Sequence, residues 1–93
     1  PRQGSCMTRQ VIYRSLARVD LEHIWSQIAS GGEFDAADRL RDEIYARVLA
    51  VATNPSIGHE HTLVRNRGLL CVRVRKFLIF YQHDSEVVEI IRI

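Results

Sequence analysis

The chain has 93 residues, a length that supports one domain rather than two. Hydrophobic residues make up 46% of it, which argues against disorder, and a net charge of +2 is too small to indicate nucleic-acid binding. No apolar run approaches the roughly 20 residues that cross a bilayer, and no signal-peptide core opens the chain. We therefore expect a cytoplasmic protein without a membrane partner.

The start of the chain divides into a tail and a strand. Residues 1–6 have no periodicity and precede Met7, so we interpret them as a cloning remnant followed by a single domain over residues 7–93. Residues 8–14 are β-branched and aromatic, which predicts a strand. Ser15 is expected to cap the helix that follows.

Two amphipathic helices come next. The first covers residues 16–30, is expected to end at Gly31-Gly32, and repeats apolar residues every three or four positions. The second is expected to be capped by Asp35, to pair Glu43 with Arg47 on its polar side, and to end at Asn54-Pro55. The short link predicts an antiparallel helix hairpin. The two stripes are Ala17, Leu21, Ile24, Trp25 and Ile28, then Ala36, Ala37, Leu40, Ile44, Val48 and Val51 or Ala52.

The last third of the chain is rich in β-formers. Residues 62–67 predict a weak strand, residues 69–75 a strand with one outward face, residues 77–81 a central strand, and residues 87–93 a last strand. A two-residue turn at Arg75-Lys76 is unusual, because such turns favour Asn-Gly or Gly. The order β-α-α-β-β-β-β predicts an α+β fold, with a helix hairpin packed on one face of a mainly antiparallel sheet.

Positive charge gathers in this third of the chain. A stretch without acidic residues holds Arg65, Arg67, Arg73, Arg75 and Lys76. It is a candidate anion-facing surface. The alternative is a solvated sheet face whose arginines pair with Glu60, Glu86 or Glu89.

Other chemistry is weakly supported. His59-Glu-His61 lacks a third metal ligand at useful spacing, so we expect no metal and no cofactor. Cys71 with His83 suggests thiol chemistry, but a cysteine in an apolar strand is more typical of packing.

Trp25 has two readings. It is either a core residue or, with Leu21, Ile24 and Ile28, part of an apolar groove that accepts a partner helix. The first strand and the weak strand are also candidate edges for an added partner strand.

Several segments together resemble the ParE/RelE superfamily of toxins from type II toxin–antitoxin systems. The ParE-like branch fits better, with its Asp-Leu-x-x-Ile core, an Ala-Ala pair and a Pro-x-x-Gly break. Family members usually continue past the last strand, often through a His-Gly-x-Arg or Gly-x-Arg segment, and this sequence departs from that pattern by stopping at Ile93. Either Ile93 is the natural end and the segment is lacking, or the natural chain continues. The segments are residues 17–25, 36–39, 54–58, 72–81 and 87–93.

The resemblance implies a toxin that inhibits DNA gyrase by binding and is neutralised by a ParD-like antitoxin in a hetero-oligomer. It implies an antitoxin surface at Leu21, Ile24, Trp25 and Ile28. The alternatives are a RelE-like endoribonuclease that cleaves messenger RNA on the ribosome, with Tyr81 or a histidine moving protons, and an inactive binding module. The expected target-binding residues are Arg65, Arg67, Arg73, Arg75, Lys76, Tyr81 and Arg92.

Overall fold

A computed structural model of the chain describes residues 8–60 and 68–93. The tail expected at residues 1–6, and the weak strand expected at residues 62–67, lie outside the described residues. The elements are strand β1, helices α1 and α2, a 3-10 turn, and strands β2, β3 and β4. Their bounds are Gln10–Tyr13, Ser15–Ala29, Phe34–Thr53, Pro55–Ile57, Leu70–Val74, Phe77–His83 and Val87–Arg92.

The helices form as their apolar stripes predict, but both begin differently. Arg14 and Glu33 are the N-cap residues, and neither makes a side-chain cap hydrogen bond. Ser15 is already helical, and Asp35 lies in the first turn of α2, where its charge favours the helix dipole. Both predicted caps are therefore wrong. Gly32, with φ of +86°, permits the turn between the helices.

Within residues 8–60 and 68–93 the sheet has four strands, in the order β1-β4-β3-β2. The β2–β3 and β3–β4 pairs are antiparallel, whereas β1 pairs in parallel with β4, placing Gln10 opposite Val87. The α+β class with a helix pair on a mainly antiparallel sheet is confirmed. Among the strands of the described residues, β1 and β2 are the outermost and lie at opposite sides of the sheet, and His59 forms an isolated antiparallel bridge to Cys71 of β2.

The core lies between the helices and one sheet face. Strand residues of alternating position pack inward, and Val72 opposes Ile79 in the register. The buried stripe of α2 closes the core from the other side. Leu78 and Phe80 point to the second face and are only half-buried, so β3 is central in the sheet but not fully covered on both faces. In the part of the chain that is described, neither helix has the length and apolarity to span a membrane.

Two tight turns join the antiparallel strands. Val74 pairs with Phe77, so the turn is the two residues Arg75-Lys76, with Arg75 at φ of +55°. The Asp84 carboxylate accepts hydrogen bonds from the amides of Glu86 and Val87 and organises the second turn. These amides hold the pKa of Asp84 below its usual value.

Candidate functional site

An open groove of about 550 Å³ lies between α1 and α2 beside β1. We call it the aromatic groove. Its apolar part is formed by Tyr13, Leu21, Trp25 and Tyr45. Its polar rim is formed by Arg18, Glu22, Ser26 and Arg41.

The aromatic side chains of this groove are held in place. The Tyr13 and Tyr45 rings pack edge to face with centroids 5.9 Å apart. The Trp25 indole N–H donates to the Asp38 carboxylate at 2.9 Å, and Arg41 donates to the same oxygen. Burial and the neighbouring Tyr45 raise the pKa of Tyr13 to about 12, so it remains a neutral phenol at physiological pH. The groove is therefore a fixed apolar surface with hydrogen-bonding edges.

The four residues expected to bind an antitoxin do not share one cavity. Leu21 and Trp25 line the aromatic groove. Ile24 and Ile28 line a smaller cavity of about 330 Å³ beside the β2–β3 turn. All four are half-buried, because each packs one side on the core and leaves the other accessible.

Arg75 is neutralised by a helix carboxylate. Its guanidinium donates two hydrogen bonds to Glu43, at 3.0 and 2.7 Å. This fork lowers the pKa of Glu43 and raises that of Arg75. The pair ties the β2–β3 turn to α2. The predicted pairing of Glu43 with Arg47 is wrong, since among the described residues Glu43 forms its ion pair with Arg75 instead.

Arg92 makes a matching fork at the other end of the sheet. Its guanidinium donates to Asp20 at 2.7 and 3.1 Å, and the Ile93 amide donates to the same carboxylate at 3.0 Å. The Arg92 hydrogen bonds are the main cause of the lowered pKa of Asp20. Both forks link strand arginines to helices rather than to the glutamates of the sheet.

A basic cleft lies between α2 and the edge strand β2. It has a volume of about 420 Å³. Arg47 and Arg73 are exposed there, and neither forms an ion pair within residues 8–60 and 68–93. Lys76 lies in the β2–β3 turn itself, with its ammonium 5.5 Å from the Phe77 ring centroid. Arg65 and Arg67 lie outside the described residues. The lining residues are Glu43, Ala46, Arg47, Ala50, Arg73, Val74 and Arg75.

Tyr81 belongs to the core, which corrects its prediction as a target-binding residue. It is fully buried, and its hydroxyl donates to the Pro55 carbonyl at 2.6 Å. Burial raises its pKa. A Cβ on Gly58 would collide with the Tyr81 phenol, so the glycine of the Pro-x-x-Gly break leaves the space that this side chain occupies.

Cys71 is a packing residue. It is fully buried and burial raises its pKa, which disfavours the reactive thiolate. Its sulfur lies 3.9 Å from Nε2 of His59, and the two residues pair through their backbones. No cluster of three or more His, Cys, Asp or Glu side chains suited to a metal forms within the described ranges.

Sequence reasoning missed Arg47, Tyr13 and Tyr45. Arg47 was hidden by its i,i+4 spacing from Glu43. The two tyrosines come from different elements, and no local pattern joins them.

Known proteins share this fold and its sequence pattern. The chain resembles a solved structure described as "Chromosomal ParDE TA system from P. aeruginosa", with a TM-score of 0.74 at 14% identity, over 92% of this chain and 94% of that chain. No curated protein sequence matches the chain. A family model described as "ParE toxin of type II toxin-antitoxin system, parDE" matches residues 11–93. The chain therefore belongs to the ParE toxin family of type II toxin–antitoxin systems.

Proposed function

We propose that this protein is a toxin that inhibits DNA gyrase by binding, and that a ParD-like antitoxin neutralises it in a hetero-oligomeric complex. The observation that carries the proposal is the family match over nearly the whole domain. The open aromatic groove is consistent with the proposal. The domain buries its core elsewhere, and an apolar surface left exposed is typical of a protein-binding site.

The aromatic groove is the proposed antitoxin site. Leu21, Trp25 and Tyr45 form an apolar floor, and Arg18 and Arg41 are placed to meet acidic groups at the rim. An amphipathic helix of the antitoxin would lay its apolar face on this floor. A segment that is disordered when free would fold on binding there.

The proposed gyrase-binding residues are the exposed cations Arg73, Arg75 and Lys76 at and near the β2–β3 turn and Arg92 at the end of β4. Arg65 and Arg67 remain proposed members of this set. Of these residues, Arg75 and Arg92 are engaged by helix carboxylates, so Arg73 and Lys76 are the freest cations in the described part of this set.

The nuclease alternative loses its aromatic proton-transfer group. Tyr81 is buried, and the Pro55 carbonyl accepts its hydroxyl hydrogen. A general acid or base must reach the reacting group. In the nuclease alternative a histidine would then have to move the protons without Tyr81, and we favour inhibition by binding over ribosome-dependent cleavage of messenger RNA.

The test is a gyrase supercoiling assay with the purified chain, with and without the antitoxin encoded beside it. We expect inhibition that the antitoxin relieves. Growth arrest in cells without gyrase inhibition would overturn the target. The absence of both would support an inactive binding module instead.

A paired variant locates the target surface. Arg73→Ala with Arg75→Ala should reduce growth arrest on induction, because it removes two cations from the proposed surface. Arg9→Ala with Arg14→Ala removes the same charge beside β1 and should leave arrest intact. Unchanged arrest in the first variant would contradict the assigned surface.

A further inference from the structure

We infer that the basic cleft is a phosphodiester-binding site, through which this chain itself binds the backbone of a nucleic acid. The inference goes beyond gyrase inhibition, which requires only a protein target. Its central residue, Arg47, belongs to neither proposed binding surface.

The Arg75–Glu43 fork sets the geometry of the cleft. Arg47 follows Glu43 by one helical turn, about 6 Å along α2. Arg73 precedes Arg75 by two residues, about 7 Å along the chain. All four side chains line the same cleft. The fork therefore brings Arg47 and Arg73 together as the next pair across it.

These two arginines share the cleft, and no described carboxylate forms an ion pair with either of them. Both side chains are exposed. Glu43, the acidic residue of the cleft, has both oxygens committed to Arg75. Like charges that share a cleft repel, and a bound anion removes that repulsion. The site is therefore electrostatically prepared for an anion.

The charge continues beyond one pair. Arg39 lies one turn before Glu43 and contributes to the lowered pKa of that carboxyl. Arg39, Glu43 and Arg47 follow one another at one-turn spacing over about 12 Å of α2, and the Glu43 between the two arginines is paired with Arg75. Two arginines this far apart along one helix fit a polyanion with repeated charges better than one small anion.

The lining favours a nucleic acid over an acidic protein. Between the arginines the surface consists of Ala46, Ala50 and Val74, and it offers no deep pocket for an anchoring side chain. Protein partners usually rely on such anchors, which the aromatic groove provides. Guanidinium forks match phosphate oxygens in pairs.

The test measures direct binding without gyrase, so it can fail independently of the proposed function. A short fluorescein-labelled DNA duplex is titrated with the purified chain, and anisotropy is followed between about 50 and 200 mM salt. For Arg47→Gln with Arg73→Gln, we expect affinity to fall at least about tenfold. The salt slope should become shallower by about 2, one per lost phosphate contact.

Matched controls make the result decisive. Arg9→Gln with Arg14→Gln removes equal charge at the opposite edge of the sheet and should keep the parent affinity. Equal loss in both variants, or no loss in the first, would overturn the inference. Tighter binding to a polyglutamate peptide of equal charge would also overturn it and point to a protein partner.

A third titration distinguishes DNA from RNA as the source of the phosphodiester. Single-stranded RNA of the same length replaces the duplex, and the variants are repeated. Dependence on Arg47 and Arg73 with either nucleic acid supports the site, and the tighter ligand identifies the source. Circular dichroism melts confirm that each variant is folded.

Discussion

The aromatic groove and the basic cleft occupy opposite flanks of the same helix hairpin, and they differ in almost every property. The groove is built from rings that pack on one another beside β1. The cleft beside β2 is lined by arginine guanidiniums, with the small side chains of Ala46 and Ala50 between them. A partner in the groove would gain binding free energy by removing apolar area from water, and a partner in the cleft would gain it by neutralising charge. The contrast shows how one small α+β domain can carry two chemically separate surfaces.

The largest expected effect is on antitoxin binding, when the aromatic groove alone is changed. Trp25→Ala should weaken antitoxin binding by about 2–3 kcal/mol, because it removes a large central anchor. Isothermal titration calorimetry measures the loss. Leu49→Ala is the control, since Leu49 is 57% exposed on α2 but does not line the groove. If Arg47→Gln with Arg73→Gln weakens the antitoxin as strongly, the division between the surfaces is wrong.

The next effect tests the scaffold that both surfaces share. Gly58→Ala should lower the free energy of unfolding by about 2 kcal/mol, because the added methyl takes the space that the Tyr81 ring occupies. Tyr81→Phe should cost about 1–2 kcal/mol by leaving the Pro55 carbonyl without its donor. Urea denaturation measures both.

Gly31→Ala is the matched glycine control. A Cβ there would meet only the Ile28 carbonyl oxygen, at an ordinary 3.6 Å. It should change stability by less than about 0.5 kcal/mol. A similar loss in both glycine variants would show that Gly58 matters for backbone freedom rather than for room.

A smaller effect concerns the Asp20–Arg92 fork. The pKa of Asp20 is lowered in the folded state. Its stabilisation is therefore complete above the unfolded pKa of about 3.9 and is lost as pH falls through the folded value. Asp20→Asn should cost about 1 kcal/mol at neutral pH. The difference from the parent should shrink below about pH 4.

Denaturation at several pH values checks this expectation. Asp42→Asn serves as the control, because Asp42 is exposed and forms no ion pair in the described part of the chain. A pH-independent loss in Asp20→Asn would mean that the fork contributes shape rather than charge.

The smallest expected effect is on the salt dependence of nucleic-acid binding at the basic cleft. Glu43→Gln releases Arg75 from its fork and removes the acidic residue of the cleft. The salt slope of duplex binding should become steeper by about 1, as if one cation were gained. A shallower slope would show that the fork is needed to hold Arg47 and Arg73 together.

Local pattern was enough to predict the helices and the hairpin strands. The stripe of α2, from Ala37 to Ala52, is the buried face that its spacing predicts. The parallel pairing of β1 with β4 was not predictable in the same way, because no turn joins the two strands. Helix caps were misplaced because Ser15 and Asp35 suit a first turn as well as a cap.

The site was harder to predict because its contacts are remote in sequence. Glu43 and Arg75 are 32 positions apart, and Asp20 and Arg92 are 72 apart. The i,i+4 rule instead favoured Glu43 with Arg47, a weak surface pair that a bidentate fork outcompetes. Tyr81 shares its strand phase with Phe77 and Ile79, so alternation alone would have placed it in the core.

The parallel pairing of the first and last strands has a consequence for the order of folding. β4 is an interior strand of the sheet, and it joins β1 only after almost the whole domain has left the ribosome. Such pairing is distant in sequence, so it folds late and slowly compared with the helix hairpin. We therefore expect a nascent chain to hold a formed hairpin over an unfinished sheet. A partner that recognises only the hairpin could then engage the toxin before its sheet is complete.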